Sequence, residues 1–187
     1  MKTHQHLIFY AVSLIMLWAG VQPVLAQTKS ATLMPGSVVL MRHALAPGGG
    51  DPAHFDLSDC RTQRNLSEEG RVQAKRIGEF FRQHTVPVTA VWSSQWCRTR
   101  ETADLAFPRQ RVDQPAFNSF FGEPDAAPAQ TNDAQALLDG WRGAGLLVVV
   151  THQVNITALT GVVPASGEAV VLRRQKDKWV TVGRISP

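Results

Sequence analysis

Two short apolar runs, each delivering a histidine at its end, constrain this chain more than anything else in it. Ser37 to Met41 reads SVVLM and runs into Arg42-His43, and Leu146 to Val150 reads LLVVV and runs into Thr151-His152. Unbroken apolar stretches of this length, rich in β-branched valine, suit strands buried on both faces, as in a sheet covered by helices. Between them the pattern alternates. Ser67 stands where a helix N-cap would, Glu68 and Glu69 suit the first turn, and Ala74, Ile77 and Phe81 share a face before the break at Pro87. Thr89 to Trp92 predicts a second strand, followed after Ser93-Ser94 by a helix to about Phe107, with Pro108 as its stop. Arg111 to Asp113 predicts a short edge strand, and residues 115–130, rich in Pro and Ala with one Gly, read as a loop. A helix capped by Asn132 or Asp133 reaches about Asp139; another covers Val154 to Leu159; Glu168–Arg173 and Lys178–Ile185 form a hairpin. Alternation of this kind implies an α/β fold, a three-layer α/β/α sandwich around a mainly parallel central sheet.

The first 26 residues stand apart from that pattern. Lys2 precedes an almost unbroken apolar run from Leu7 to Val21, Pro23 breaks it, and Val24-Leu25-Ala26 offers a cleavage site. The run is short for a bilayer span, which takes ~20 apolar residues. Residues 1–26 therefore read as a secretory signal peptide, the alternative being a retained anchor. Residues 27–187 then form one domain, exported to the periplasm and without a stable membrane span. The formal charge of +4 falls by one with Lys2, and the remaining charges are scattered. Nothing here calls for nucleic acid, whereas a mild positive excess suits a small anionic partner. Cys60 and Cys97 form no CxxC or Cys/His cluster of the zinc kind. Cys60 lies in the long segment after His43 and Cys97 directly precedes Arg98, so a disulfide between them and a pair of unlinked thiols both stay open.

Ligands of parallel sheets bind beyond the carboxyl ends of the strands. That rim would carry Arg42 and His43 from the first strand, Ser93, Ser94 and then Arg98 from the second, and His152 with a helix N-terminus from the central one. Arginine forks and free helix N–H groups match the oxygens of a phosphoryl group. A neutral imidazole adds a nucleophile toward phosphorus near pH 7 and a good leaving group afterwards. The leaving alkoxide needs a proton, so a carboxyl should stand nearby. Neither a metal nor a cofactor is required. Gly48, Gly49 and Gly50 lack the G-K-[ST] ending of a nucleotide loop and read as a flexible lid. Ser93 and Ser94 lack a G-x-S-x-G elbow and read as capping residues. His54 and His84 have no motif around them and read as surface residues.

These blocks resemble the histidine phosphatase superfamily, the group that includes the cofactor-dependent phosphoglycerate mutases. LMRHA around His43, RNLSEEGRVQA from Arg64, SSQWCRTRETA from Ser93 and VVVTH ending at His152 follow in the family's order. The resemblance implies a phosphoglycerate mutase-like fold and makes His43 the phosphorylated nucleophile. It makes Arg42 and Arg98 phosphate ligands and His152 the second active-site histidine. Arg64 matches an arginine preceding the L-T/S-x-x-G block in some small members and joins the substrate-binding set. Two departures are Ala44 and Gln153, each where the family often has glycine. A third concerns the acid. Larger members carry a glutamate soon after the short third strand, where this chain has Phe117-Asn118-Ser119. The next carboxylates are Glu123 and Asp125, and Glu123 is taken as the catalytic acid. Small size and export also resemble a branch acting on the heptose phosphate of the lipopolysaccharide core. The expected function is hydrolysis of a small-molecule or glycolipid phosphate ester, a lipopolysaccharide sugar phosphate being one such ester. The alternative is a non-catalytic phosphate-binding module that kept the pocket and lost the acid. A mutase would need a bisphosphate primer and a larger insertion. Nothing in the sequence indicates an oligomeric state.

Overall fold

The computed structural model describes residues 31–187, so the signal peptide expected over residues 1–26 lies outside the described residues. Strands β1 (Val38–Arg42), β2 (Val88–Ser93), β3 (Arg111–Asp113), β4 (Leu146–Thr151), β5 (Ala169–Gln175) and β6 (Lys178–Ile185) form one sheet, in the order β3-β2-β4-β1-β5-β6. The β2–β3, β2–β4 and β1–β4 pairs are parallel, and β5 runs antiparallel to both β1 and β6. Only β5 is reversed, which is what a closing hairpin demands of a sheet otherwise built by crossovers.

Helices α1 (Glu68–Arg82) and α2 (Cys97–Ala106) cover one face, and α3 (Ala127–Gly140) and α4 (Gln153–Thr160) cover the other. Strand alternation divides the apolar runs between two cores. Val39, Met41, Val148 and Val150 pack with Ile77, Phe81 and Ala103, while Val38, Leu40, Leu147 and Val149 pack with Leu138, Ala134 and Ile156. Every residue of β4 is buried, so a polar residue at any position of LLVVV would lose water without gaining a partner. This is the physical reason the run is unbroken.

Local signals hold at most boundaries. The Ser67 hydroxyl accepts from the Gly70 N–H at 3.1 Å and caps α1, and Gly161, left-handed at φ 73°, ends α4. Gly70 is also a point of close approach: a Cβ there would lie 2.1 Å from the Leu45 carbonyl oxygen. The chain leaving His43 thus rests directly on the first turn of α1. The expected start of α3 is wrong by several residues. The helix begins at Ala127, with Pro128 in its first turn, where expectation put the cap at Asn132 or Asp133. A proline in the first turn gives up only an N–H that has no helical partner, so the Pro-Ala stretch was no barrier. The rest of the expected loop contains short 3-10 turns at Pro115–Phe117 and Pro124–Ala126. Cys60 and Cys97 are joined in a disulfide, with their Cα atoms 5.7 Å apart. No helix among the described residues is long and apolar enough to cross a membrane.

Candidate active site

The site is referenced to the end of one strand. The last carbonyls of β4, Val150 and Thr151, accept the N–H groups of Ser94 and His43, each at 3.0 Å. The ladder is thereby extended beyond β1 and β2 into the residues that matter, and His152 follows β4 itself as the N-cap of α4. Arg98 stands in the first turn of α2, one residue past the disulfide. Arg42, His43, Arg64, Arg98 and His152 all line one cavity of about 240 Å³, together with Gln153 and Val154 from the first turn of α4. Of the six residues expected at the site, the fold brings these five together.

Hydrogen bonds fix the two imidazoles in different roles. His43, only 2% exposed, directs Nδ1 at the Ala44 carbonyl oxygen, 2.7 Å away. Nδ1 therefore carries the proton and Nε2 keeps its lone pair. Burial first, and then the charge of Arg98, pushes the ring down from 6.5 to about 3, so it is neutral at any physiological pH. His152 is oriented the opposite way. Arg98 Nη2 donates toward its Nδ1 at 3.4 Å, which leaves Nε2–H to donate to Ser94 Oγ at 2.8 Å. Burial, followed by the charge of Arg98, holds His152 well below its usual range too. Ser94 is thus a positioning group for His152 and not the expected cap: the N-cap of α2 is Trp96, without a side-chain capping bond, and Ser93 ends β2.

Burial, and after it the charge of Arg98, also lowers the pKa values of Arg42 and Arg64. Three guanidinium groups crowded at one cavity would be relieved by an anion of charge −2. One carboxylate already takes part. Asp51, which sequence reasoning passed over, accepts from Arg98 Nη1 at 2.7 Å and Nη2 at 3.1 Å. It also accepts from the Trp96 indole at 3.0 Å and the Arg64 N–H at 3.1 Å. Burial works to raise its pKa, but the bonds and charge of Arg98 outweigh that and hold the carboxyl below the usual carboxylate range.

The Gly48–Gly50 segment, expected as a flexible lid, forms a braced wall of the cavity. Arg64 donates from Nε to the Gly50 carbonyl at 2.8 Å and from Nη1 to that of Ala46. Glu123 is the one expected residue that the fold does not bring in. It is exposed and lines an adjoining cavity of about 620 Å³, while Asn118 is engaged with Gln95. Among the described residues, no group of three or more His, Cys, Asp or Glu is placed to hold a metal ion.

The fold is a phosphoglycerate mutase-like sandwich with paired neutral histidines and arginines at the strand ends. A model of the histidine phosphatase superfamily (branch 1) matches residues 38–116, a stretch that includes β1, α1, β2 and α2. Over this stretch the chain is similar to the histidine phosphatase superfamily. No curated protein matches it significantly. Among solved structures it is similar to the protein histidine phosphatase SixA complexed with tungstate, at TM-score 0.54 and 18% identity, over 81% of this chain and 97% of that one. Phosphoglycerate mutase from Thermus thermophilus aligns at TM-score 0.56 and 17% identity, over 81% and 99%. A mycobacterial glucosyl-3-phosphoglycerate phosphatase aligns at TM-score 0.57 and 15% identity, over 79% and 97%. At these identities the likeness establishes the fold.

Proposed function

We propose that the protein hydrolyses a phosphomonoester through a phosphohistidine on His43, and that the ester is an exported or envelope compound met in the periplasm. The observation that carries this reading is the state of His43: buried, neutral and tied at Nδ1, with Nε2 free in a cavity of three arginines. In this reading Nε2 attacks phosphorus, and Arg42, Arg64 and Arg98 hold the phosphoryl oxygens as charge builds on them. His152 and the first-turn N–H groups of α4 complete the cradle. Water then cleaves the P–N bond. No step calls for a metal or a cofactor.

The adjoining cavity supports an alcohol of ring size. Phe55 and Trp96 stack in its wall with centroids 5.1 Å apart, and Asn118 and Gln130 supply amides. Aromatic faces edged by amides suit a hydroxyl-bearing ring, and a lipopolysaccharide sugar phosphate has that chemistry. The Cys60–Cys97 disulfide supports an oxidising compartment.

Purified protein should release phosphate from sugar phosphates and from an activated aryl phosphate, with chelator present. A rapid-quench mass measurement should find one phosphoryl group on the chain. His43→Ala should remain folded and lose turnover. Full activity in that variant, or a strict need for added metal, would sink the mechanism. Tight phosphate binding with no turnover on any ester would favour a non-catalytic phosphate-binding module.

A further inference from the structure

The phosphate cavity and the larger one beside it share four residues: Gly50, Asp51, Ser119 and Phe121. Asp51 is the only one of them that titrates. If the phosphoryl group lies with His43 and the arginines, and the alcohol extends into the larger cavity, the ester oxygen passes through the junction. We propose that Asp51 gives the leaving oxygen its proton. The assignment rests on the phosphatase reading above. It places the acid on the loop after His43, where the fold puts a carboxylate, and not on the exposed Glu123.

The resting contacts show how the proton arrives. The Arg98 fork that a phosphoryl group would take is already occupied by the Asp51 carboxylate, at 2.7 and 3.1 Å. A phosphomonoester has a second pKa of about 6, so part of it enters as the monoanion with one proton. Arg98 exchanges the carboxylate for the phosphoryl oxygens, and the proton moves from the phosphoryl group to Asp51. His43 Nε2 then bonds to phosphorus. The P–O bond breaks with its electron pair on the ester oxygen, and Asp51 hands over its proton to give a neutral alcohol. In the second half, water bonds to phosphorus and passes a proton to the Asp51 carboxylate. The P–N pair returns to Nε2. Asp51 gives that proton to the departing phosphate and closes again on Arg98.

The competing role for Asp51 is to position Arg98 and nothing more. Leaving-group dependence separates the two. In the disulfide-bonded protein, Asp51→Asn should cut kcat on alkyl phosphates by about 10²-fold or more, the usual scale of general acid catalysis. A nitrophenyl phosphate, whose leaving group hardly needs the proton, should lose only a few-fold. Across a series of aryl phosphates the dependence on leaving-group pKa should steepen. Equal losses on every ester, together with weaker binding of inorganic phosphate, would overturn the proposal in favour of positioning. So would a steepening in Glu123→Gln that Asp51→Asn lacks. If Asp51→Asn fails to fold, Asp51→Glu keeps a carboxyl and should be slower with the wild-type dependence on leaving group. A steepened dependence in that folded variant would overturn the proposal. A wild-type protein inactive on every ester would count against the phosphatase reading itself, which a failure confined to Asp51 leaves standing.

Discussion

At the scale of single residues, the site is a set of charges and dipoles whose stability depends on pH. His43 and His152 are buried neutral, and both have folded-state pKa values below the ordinary 6.5. Above 6.5 neither folded nor unfolded chain protonates them, and their contribution is fully present. As pH falls below 6.5 the unfolded state takes up protons that the folded state refuses, down to about 3 for His43. His43 should therefore add a slope of about 1.4 kcal/mol per pH unit in that window, and His152 acts in the same direction. Denaturant melts of ligand-free protein between pH 8 and pH 5 should show stability falling toward acid, with a shallower fall in His43→Gln. A pH-independent midpoint would contradict the buried neutral state. Arg42, His43, Arg98 and His152 were legible in the sequence because each follows a strand directly or lies within a turn of it. Asp51 was not, because a long loop with no periodicity offers no register by which to see it meet Arg98. Ser94 was read for its local capping habit, while its partner His152 follows the neighbouring strand β4, far away in sequence.

Helices, strands and loops act here through close approach. Gly70 lets the first turn of α1 receive the backbone that leaves His43, and the added methyl of Gly70→Ala would meet the Leu45 carbonyl oxygen at 2.1 Å. A helical alanine is otherwise favourable, so any loss reports the clash alone. A destabilisation of about 1–3 kcal/mol is expected, with a fall in phosphatase activity as the loop carrying Asp51 is displaced. Thermal melts and kcat/KM on an activated aryl phosphate measure the two, and a variant as stable as wild type would show that the loop yields freely. All six strands and four helices of the described residues were visible as elements, since apolar runs and caps are local signals. The start of α3 escaped because proline marks a stop inside a helix and is welcome in its first turn. The bracing of Gly48–Gly50 escaped because Arg64 reaches backbone carbonyls, which sequence does not distinguish.

At the scale of the whole molecule, the disulfide is the only covalent link between the 44–65 loop and α2 among the described residues. Reduction should lower stability by about 2–4 kcal/mol. Because Cys97 directly precedes Arg98, reduction should also raise KM more than it lowers kcat. Melts and steady-state kinetics with and without reductant test both, and unchanged KM on reduction would show that the loop holds without the link. The sheet order carries a different consequence. β1 lies between β4 and β5, and Val38 pairs with Leu147 on one side and Leu172 on the other. As the chain is made from its N-terminus, α1, β2, α2 and β3 can gather early, while the apolar strand bearing Arg42 and His43 waits with both edges open. Pairings so distant in sequence slow folding, and open edges invite aggregation meanwhile. A ribosome that stops short of β4 therefore releases an aggregation hazard and not a weaker phosphatase, since neither histidine has its place until the final part of the chain arrives.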